Sequence, residues 1–379
     1  MIVVVTPTHP DDWFTVAAES APDTPTLMVS GQRTLANVRR VAQATARAGK
    51  RLRPHTKTHK MLELARWQLD NGAAGLQVAK LGEAEVMLDS GTPDLLVAYP
   101  IVGAAKMPRL NSLAARTRLT VSLDSLVVAE GISRALDPDN GIEVLIEVDT
   151  GLSRLGVMPE QAAELAAAVA GLPGLAVAGV LTHEGQVGTQ LQIGGLLEDL
   201  VSAAVAKMAV AVAGLRRIGI SEPMVSMGST PSWRQLLDHD EVSEVRPGLY
   251  VFHDMNSVRA GSATLAEVAA VVAATVVSVS RARHEFVIDA GSKSIGSEPR
   301  VLGELTSYGY LPDADAHVVR VSEEHGVVAA SQTLPAVGDR LVVVPNHVCP
   351  VVNLHDAATV MEEDGTQTEW RVAARGLSR

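Results

Sequence analysis

The sequence predicts an α/β fold, a (β/α)8 TIM-type barrel followed by a smaller all-β domain, and three observations carry that prediction. Between about Arg51 and Asp254, apolar strand-like runs alternate with Ala/Leu/Glu segments of helical spacing. Such alternation implies parallel pairing through right-handed crossovers, and about eight units is the count at which the sheet closes. After about Ser257 the texture changes to short Val-rich runs separated by turn residues, which reads as a compact all-β domain. The composition agrees: 47% of the 379 residues are hydrophobic but only 3% aromatic. That mix suits buried parallel strands under Ala/Leu-rich helices. An open, doubly wound sheet is the alternative.

The barrel strands are expected at Arg51–Thr56, Gly75–Ala79, Leu95–Tyr99, Leu119–Leu123, Glu143–Val148, Ala176–Thr182, Met224–Met227 and Val242–Phe252. Helical spacing between them is clearest over Leu81–Asp89, Pro159–Ala170 and Leu196–Ile218. In the second domain the strands are expected at Glu267–Ser280, Glu285–Asp289, Ala316–Val321, Gly326–Ala330, Arg340–Pro345 and Trp370–Ala374. Thr26–Ser30 is an early strand that precedes the first barrel unit and is expected to pair with that domain. The boundaries are therefore 31–256 for the barrel and 257–379 for the β domain, joined by residues 1–30.

Charge and cysteine usage narrow the function. A net charge of −11 argues against non-specific nucleic-acid binding, which needs a basic surface. The single cysteine, Cys349, excludes an internal disulfide framework and fits a reducing cytoplasm. The opening M-I-V-V-V-T-P-T-H-P-D-D has neither the basic start nor the long apolar core of a secretion signal. No apolar run is long enough to span a bilayer, Ala266–Ser280 included.

Chemistry is concentrated at the carboxyl ends of the expected barrel strands, where catalytic groups of barrels sit. R-P-H-T-K-T-H-K, Arg53–Lys60, puts Lys57 at the end of the first strand. An amine partly desolvated there is nucleophilic toward an aldehyde. His55 and His59 lie four apart across a strand–helix junction, a poor spacing for a metal pair. E-V-D-T-G-L-S-R-L-G-V, Glu147–Val157, brackets Arg154 between Gly151 and Gly156, so its guanidinium can meet a phenolate oxygen. L-T-H-E-G places Thr182 and His183 at the next strand end. V-S-M-G-S-T-P-S and V-R-P-G-L-Y end the last two strands. Gly228, Ser229 and Thr230 of the first and Gly248 of the second form the loops where barrels commonly hold a phosphate. In the β domain, P-N-H-V-C-P carries His347 and Cys349 two apart on a strand-like run, so both side chains are expected on one face as half of a metal site.

This ordered set of motifs, with H-V-C-P-V-V-N-L-H-D near the end, resembles the D-threonine aldolase and D-serine dehydratase group of alanine-racemase-like, fold type III pyridoxal-phosphate enzymes. The resemblance runs from about Thr26 to the closing W-R-V-A-A-R-G-L-S-R. It implies a pyridoxal 5'-phosphate barrel, a β domain supplying ligands for a divalent metal (zinc, manganese or magnesium), and a homodimer acting on a small D-amino acid. By resemblance, Lys57 is the Schiff-base lysine and Arg154 faces the cofactor's phenolic oxygen. Thr182 and His183 flank the ring, and Gly228, Ser229, Thr230, Gly248 and Leu249 cradle the phosphate. His347 and Cys349 bind the metal. Arg246 matches the arginine that faces the pyridine nitrogen in alanine racemases, and Ala79 stands where several relatives have a glutamine.

Aldolases of the group carry His-x-Asp and dehydratases His-x-Cys, so Cys349 leans toward a dehydratase and toward zinc. P-V-V-N-L-H-D and R-G-L-S-R lean toward an aldolase. The expected reaction is metal-assisted cleavage of D-threonine or another D-β-hydroxy amino acid to glycine and an aldehyde, with D-serine dehydration to pyruvate and ammonia as the alternative. A racemase would need a second acid/base, for which Tyr308 and Tyr310 are available. A non-catalytic cofactor carrier would leave His347 and Cys349 without a purpose.

Overall fold

The structure, a computed structural model, describes residues 13–192, 194–331 and 333–379. Residues 1–12, which include the segment read above as unlike a secretion signal, lie outside the described residues. The chain divides into two compact units. One comprises 39–57, Leu62–Gly248 and Gly376–Arg379; the other comprises 13–38, Thr58–Met61 and Leu249–Arg375.

In chain order the strands are β1 (Thr26–Ser30), β2 (Arg51–Leu52), β3 (Leu76–Val78), β4 (Asp94–Val97), β5 (Arg118–Leu123), β6 (Ile142–Glu147), β7 (Leu175–Leu181), β8 (Met224–Met227) and β9 (Glu244–Val245). They continue as β10 (Ala270–Ser280), β11 (Glu285–Ile288), β12 (Arg300–Leu302), β13 (Leu305–Ser307), β14 (Gly309–Leu311), β15 (Ala316–Val321), β16 (Gly326–Ala329), β17 (Arg340–Pro345), β18 (Ala357–Met361) and β19 (Gln367–Arg371).

The first unit is an eight-stranded parallel sheet in the order β2-β9-β8-β7-β6-β5-β4-β3. Its edges meet. Ala74 N donates to Leu52 O at 2.8 Å, Gln77 N donates to Pro54 O at 2.9 Å, and His55 bridges Gln77. The expected barrel therefore closes. Its end strands are shorter than expected, because Pro54 and Pro247 have no N–H to give to a ladder. The run read as one strand over Val242–Phe252 is β9 followed by a 3-10 turn over Leu249–Val251.

The barrel interior is charged. Arg53 donates to Asp94 at 2.5 and 3.0 Å and to Glu244 at 2.9 Å, and Ser226 Oγ donates to Glu244 at 2.6 Å. Burial alone would lower Arg53, but Glu244 and Asp94 outweigh it and raise the guanidinium above its ordinary value. Buried charges of this kind persist only when paired and hydrogen-bonded. Outside, helices such as Leu81–Met87, Ala162–Ala170 and Leu197–Arg217 cover the sheet.

The second unit closes a ring of strands on itself. The order β11-β16-β15-β14-β17-β10 returns to β11, because the 11-residue β10 pairs with β17 over Val272–Thr275 and with β11 from Val276 onward. A register shift between Val276 and Ser278 re-aims the strand between the two partners. β1 pairs antiparallel with β10 and parallel with β18. Helix Trp13–Ser20 packs Trp13, Phe14 and Val16 into a core with Met28, Val271, Val342 and Val344. Among the described residues, no helix is long and apolar enough to cross a membrane.

Candidate active site

Lys57 lies in a one-turn 3-10 helix, Thr56–Thr58, just beyond β2. Thr56 and Thr58 are buried and Lys57 is half-buried. Thr56 Oγ1 donates to Gln77 O at 3.1 Å, and Lys57 N donates to His55 Nδ1 at 3.3 Å, so the backbone carrying the amine is pinned on both sides. His59 makes the same local contact one turn on, accepting from Met61 N at 3.1 Å. Each imidazole serves its own turn, which argues against a His55/His59 metal pair.

Two histidines share the neighbourhood of the Lys57 charge. His55 is held well below its ordinary pKa by burial, then by Lys57, Arg246 and His183. His183 is lowered to about 3 by burial, then by Lys57, Arg246 and Arg154. Both rings are neutral at neutral pH, so they present flat, uncharged faces beside the amine.

Arg246, just past β9, is buried. Its Nη1 donates to Gln77 Oε1 at 2.9 Å and its Nη2 to Thr182 O, while its Nε has no partner. Thr182 Oγ1 and Thr150 Oγ1 lie 3.0 Å apart. Ala79, by contrast, offers only its N–H, to Glu83 at 2.7 Å. The glutamine of this region is Gln77, two residues earlier, and it reaches Arg246 instead.

The loop carrying Arg154 is shaped by Asp149, whose Oδ1 accepts from Gly151 N at 2.8 Å and Ser153 N at 3.1 Å. Gly156 has a φ of +110°, and a Cβ there would lie 2.5 Å from Asp149 N, so only glycine fits. Arg154 itself is exposed; its charge reaches His183 and Glu147.

Past β8, Gly228 has a φ of +116°, and a Cβ would lie 2.8 Å from Arg246 N. The amide of Gly228 is not free: it donates to Glu184 Oε2 at 3.2 Å. Ser229 Oγ lies 2.8 Å from Ser232 Oγ, and Ser232 in turn donates to Glu184. Thr230 Oγ1 is buried and has no hydrogen-bond partner among the described residues. A buried, unpartnered hydroxyl beside a glycine that no other residue can replace is what a phosphate cradle requires, so these residues fit the cofactor's phosphate. Gly248 is buried on the β9 side, and Leu249 opens the following 3-10 turn, in the other unit.

The second unit brings His347 and Cys349 together, though not on a strand. β17 ends at Pro345; His347 is the N-cap of a helix over Val348–Val352. The expectation of one strand face is therefore corrected. Pro350 stands in the first helical turn, where its missing N–H costs nothing. The helix start is held by buried Asp254, whose Oδ2 accepts from Val348 N at 3.0 Å and whose Oδ1 accepts from Ser257 N at 2.9 Å. Cys349 Sγ is 3.2 Å from Thr58 Oγ1, and His347 Nδ1 is 3.0 Å from Glu298 Oε2. Burial would lower His347, but its hydrogen bond to Cys349, with the charges of Cys349, Asp254 and Glu298, pushes it up to about 9. A field that favours a proton there also favours a metal cation, and one nitrogen with one sulfur donor suits zinc. Among the described residues no cage of three or more His, Cys, Asp or Glu side chains forms.

Sequence reasoning missed Gln77, Glu184, Asp254, Glu298 and Thr58. Of these, Glu184 and Thr58 carried a visible signal, Glu184 adjoining His183 in T-H-E-G and Thr58 adjoining Lys57 in R-P-H-T-K-T-H-K.

A lysine past the first strand of a closed parallel barrel, neutral imidazoles beside it and a Gly-Ser-Thr cradle at a later strand end define the alanine-racemase-like class. Comparison with known proteins agrees. Residues 29–256 match the family model of the alanine racemase N-terminal domain, and residues 269–361 match a serine dehydratase domain. The chain belongs to this family and, within it, to the D-threonine aldolase and D-serine dehydratase group.

A D-threonine aldolase from Arthrobacter sp. is 32% identical, covering 94% of each chain. A D-threo-3-hydroxyaspartate dehydratase from Delftia sp. (strain HT23) is 30% identical over 92% of this chain and 96% of that one. The crystal structure of D-threonine aldolase from Filomicrobium marinum superposes with a TM-score of 0.82 at 30% identity, covering 94% and 97%. A D-threo-3-hydroxyaspartate dehydratase with one cysteine replaced by alanine, described as in the metal-free form, superposes at 0.81 with 28% identity, covering 93% and 97%. The family is one of pyridoxal-phosphate-dependent enzymes, and this chain is a lyase.

Proposed function

We propose that the enzyme cleaves D-threonine, or another D-β-hydroxy amino acid, to glycine and an aldehyde, using pyridoxal 5'-phosphate and a divalent metal. The observation that supports this reading is the similarity to D-threonine aldolases at 30% identity or more over nearly the whole chain. When bound, the cofactor supplies an electron sink and the metal a Lewis acid. Lys57 would hold the cofactor through its amine. His183 and Thr182 flank the ring, and Arg154 donates to its phenolic oxygen. Gly228, Ser229, Thr230, Gly248 and Leu249 hold the phosphate. His347 and Cys349 would hold the metal, which would supply a Lewis acid for the substrate's β-hydroxyl. The enzyme works as a cytoplasmic homodimer, as the family resemblance and the single free thiol support.

Cys349 favours a second reading, D-serine dehydration, in which Lys57 Nζ takes the Cα proton and the β-hydroxyl leaves. Assaying the cofactor- and zinc-loaded enzyme separates the two. Glycine with acetaldehyde from D-threonine is expected; pyruvate and ammonia from D-serine would establish the dehydratase. Mere inversion at Cα, with neither set of products, would sink both. Of the two tyrosines considered above for a racemase, Tyr310 is ill suited: its hydroxyl donates to Asp315 at 2.9 Å, and burial with that bond pushes it up to about 12.

Arg154 gives a milder test. Replacing it with alanine removes one charge-assisted hydrogen bond, worth about 1.5–3 kcal/mol. Cofactor affinity should fall roughly 10- to 100-fold in a spectroscopic titration, with activity restored at high cofactor concentration. An unchanged affinity would make Arg154 an ordinary loop residue.

A further inference from the structure

We propose that Glu298 is a positioning residue for the metal: through His347 Nδ1 it fixes the ring so that Nε2 is the nitrogen offered to the cation. This rests on the metal reading above. An imidazole binds a metal through one nitrogen, and the N–H of the other needs an acceptor that sets both tautomer and ring orientation. His347 Nδ1 lies 3.0 Å from Glu298 Oε2, so that nitrogen is engaged and Nε2 is the ring nitrogen left to a cation.

The backbone that carries the carboxylate is held in place from behind. Asn346, the residue before His347, donates from Nδ2 to Glu298 O at 3.0 Å and to Ser307 O at 2.8 Å. Its Oδ1 accepts from Arg259 Nη1 at 2.9 Å. The segments carrying the carboxylate and the imidazole are thus tied through one buried side chain and keep their separation. Stability does not explain the pair. The Glu298 side chain is 49% exposed and that of His347 33%, and ion pairs so open to water contribute little to folding. Cys349 has its own brace in the Thr58 hydroxyl, which leaves Glu298 the histidine's half of the site.

The test uses the full-length enzyme stripped of metal by a chelator and titrated with cobalt(II), with affinity read from the thiolate-to-cobalt absorption band. The wild type should develop the band. Glu298→Ala should bind cobalt on the order of 10- to 100-fold more weakly, the usual cost of losing such an outer partner, with the melting temperature unchanged. Glu298→Gln keeps an acceptor but loses the charge that strengthens the bond, so a smaller, several-fold loss is expected. It also carries the comparison should the alanine variant fold poorly. Wild-type affinity in either variant overturns the role of Glu298 and leaves the metal reading standing. A wild-type enzyme that binds no cobalt removes both.

Discussion

Replacing Lys57 with alanine is expected to leave an enzyme that is folded but keeps no covalently bound cofactor after borohydride reduction and denaturation, with turnover below detection. Lys57 holds the cofactor in the proposed cleavage and, in the dehydratase reading, also takes the proton at Cα. The proton-transfer job alone is worth about 10²–10⁴-fold, and loss of the covalent attachment adds to it. The surroundings favour this amine over the other lysines of the region. Its backbone is pinned by His55, and both neighbouring imidazoles are held neutral by burial and by its own charge. Lys60 Nζ is spent on Asn353 Oδ1 at 2.8 Å, and Lys80 Nζ sits 3.3 Å from the centre of the Tyr99 ring. Peptide mapping of the reduced wild type should find the adduct on Lys57 alone. An adduct that survives in Lys57→Ala would move the attachment to one of those two lysines and undo the assignment.

The barrel was readable in the sequence because parallel strands covered on both faces leave long apolar runs, and β5, β6 and β7 lie within a residue or two of where those runs begin and end. Prolines marked the failures. Pro54 and Pro247 shorten β2 and β9, and Pro345 with Pro350 turns the run through His347 and Cys349 from strand into helix start. The Val-rich pattern outweighed them in the reading, although a missing N–H matters more to a ladder than a favourable side chain does.

The partners of the site residues were hidden for a different reason. Glu184, Gln77 and Asp254 are buried polar groups, and sequence alone places such residues on the surface, where they mostly belong. Gly228 shows the consequence. The motif suggested an amide free for an anion, yet Glu184 accepts from it, and the unpartnered donor is the hydroxyl of Thr230 two residues on. Glu298 was invisible because it comes from a segment 49 residues away from His347, brought there only by the packing of the β unit.

Removing the metal should abolish turnover and leave both the fold and the cofactor's absorption largely intact. His347 and Cys349 supply one nitrogen and one sulfur in a negative field that includes Asp254 and Glu298, which holds a cation without closing its coordination sphere. Lys57 and the cradle residues contribute nothing to that pair, so cofactor binding and metal binding should fail separately. Cys349→Ala is therefore expected to behave like the chelated enzyme, with activity down by at least about 10²-fold, the scale on which a Lewis acid of several kcal/mol would be missed. Cys349→Asp exchanges a soft ligand for a hard one and should regain activity with manganese or magnesium rather than zinc. The measurements are turnover, elemental analysis and the visible spectrum, taken on the same preparations. Full activity after chelation that elemental analysis shows to be complete would return His347 and Cys349 to packing around Thr58. It would also remove the reason to prefer β-hydroxy substrates, since nothing else identified in the site would then act on the β-hydroxyl.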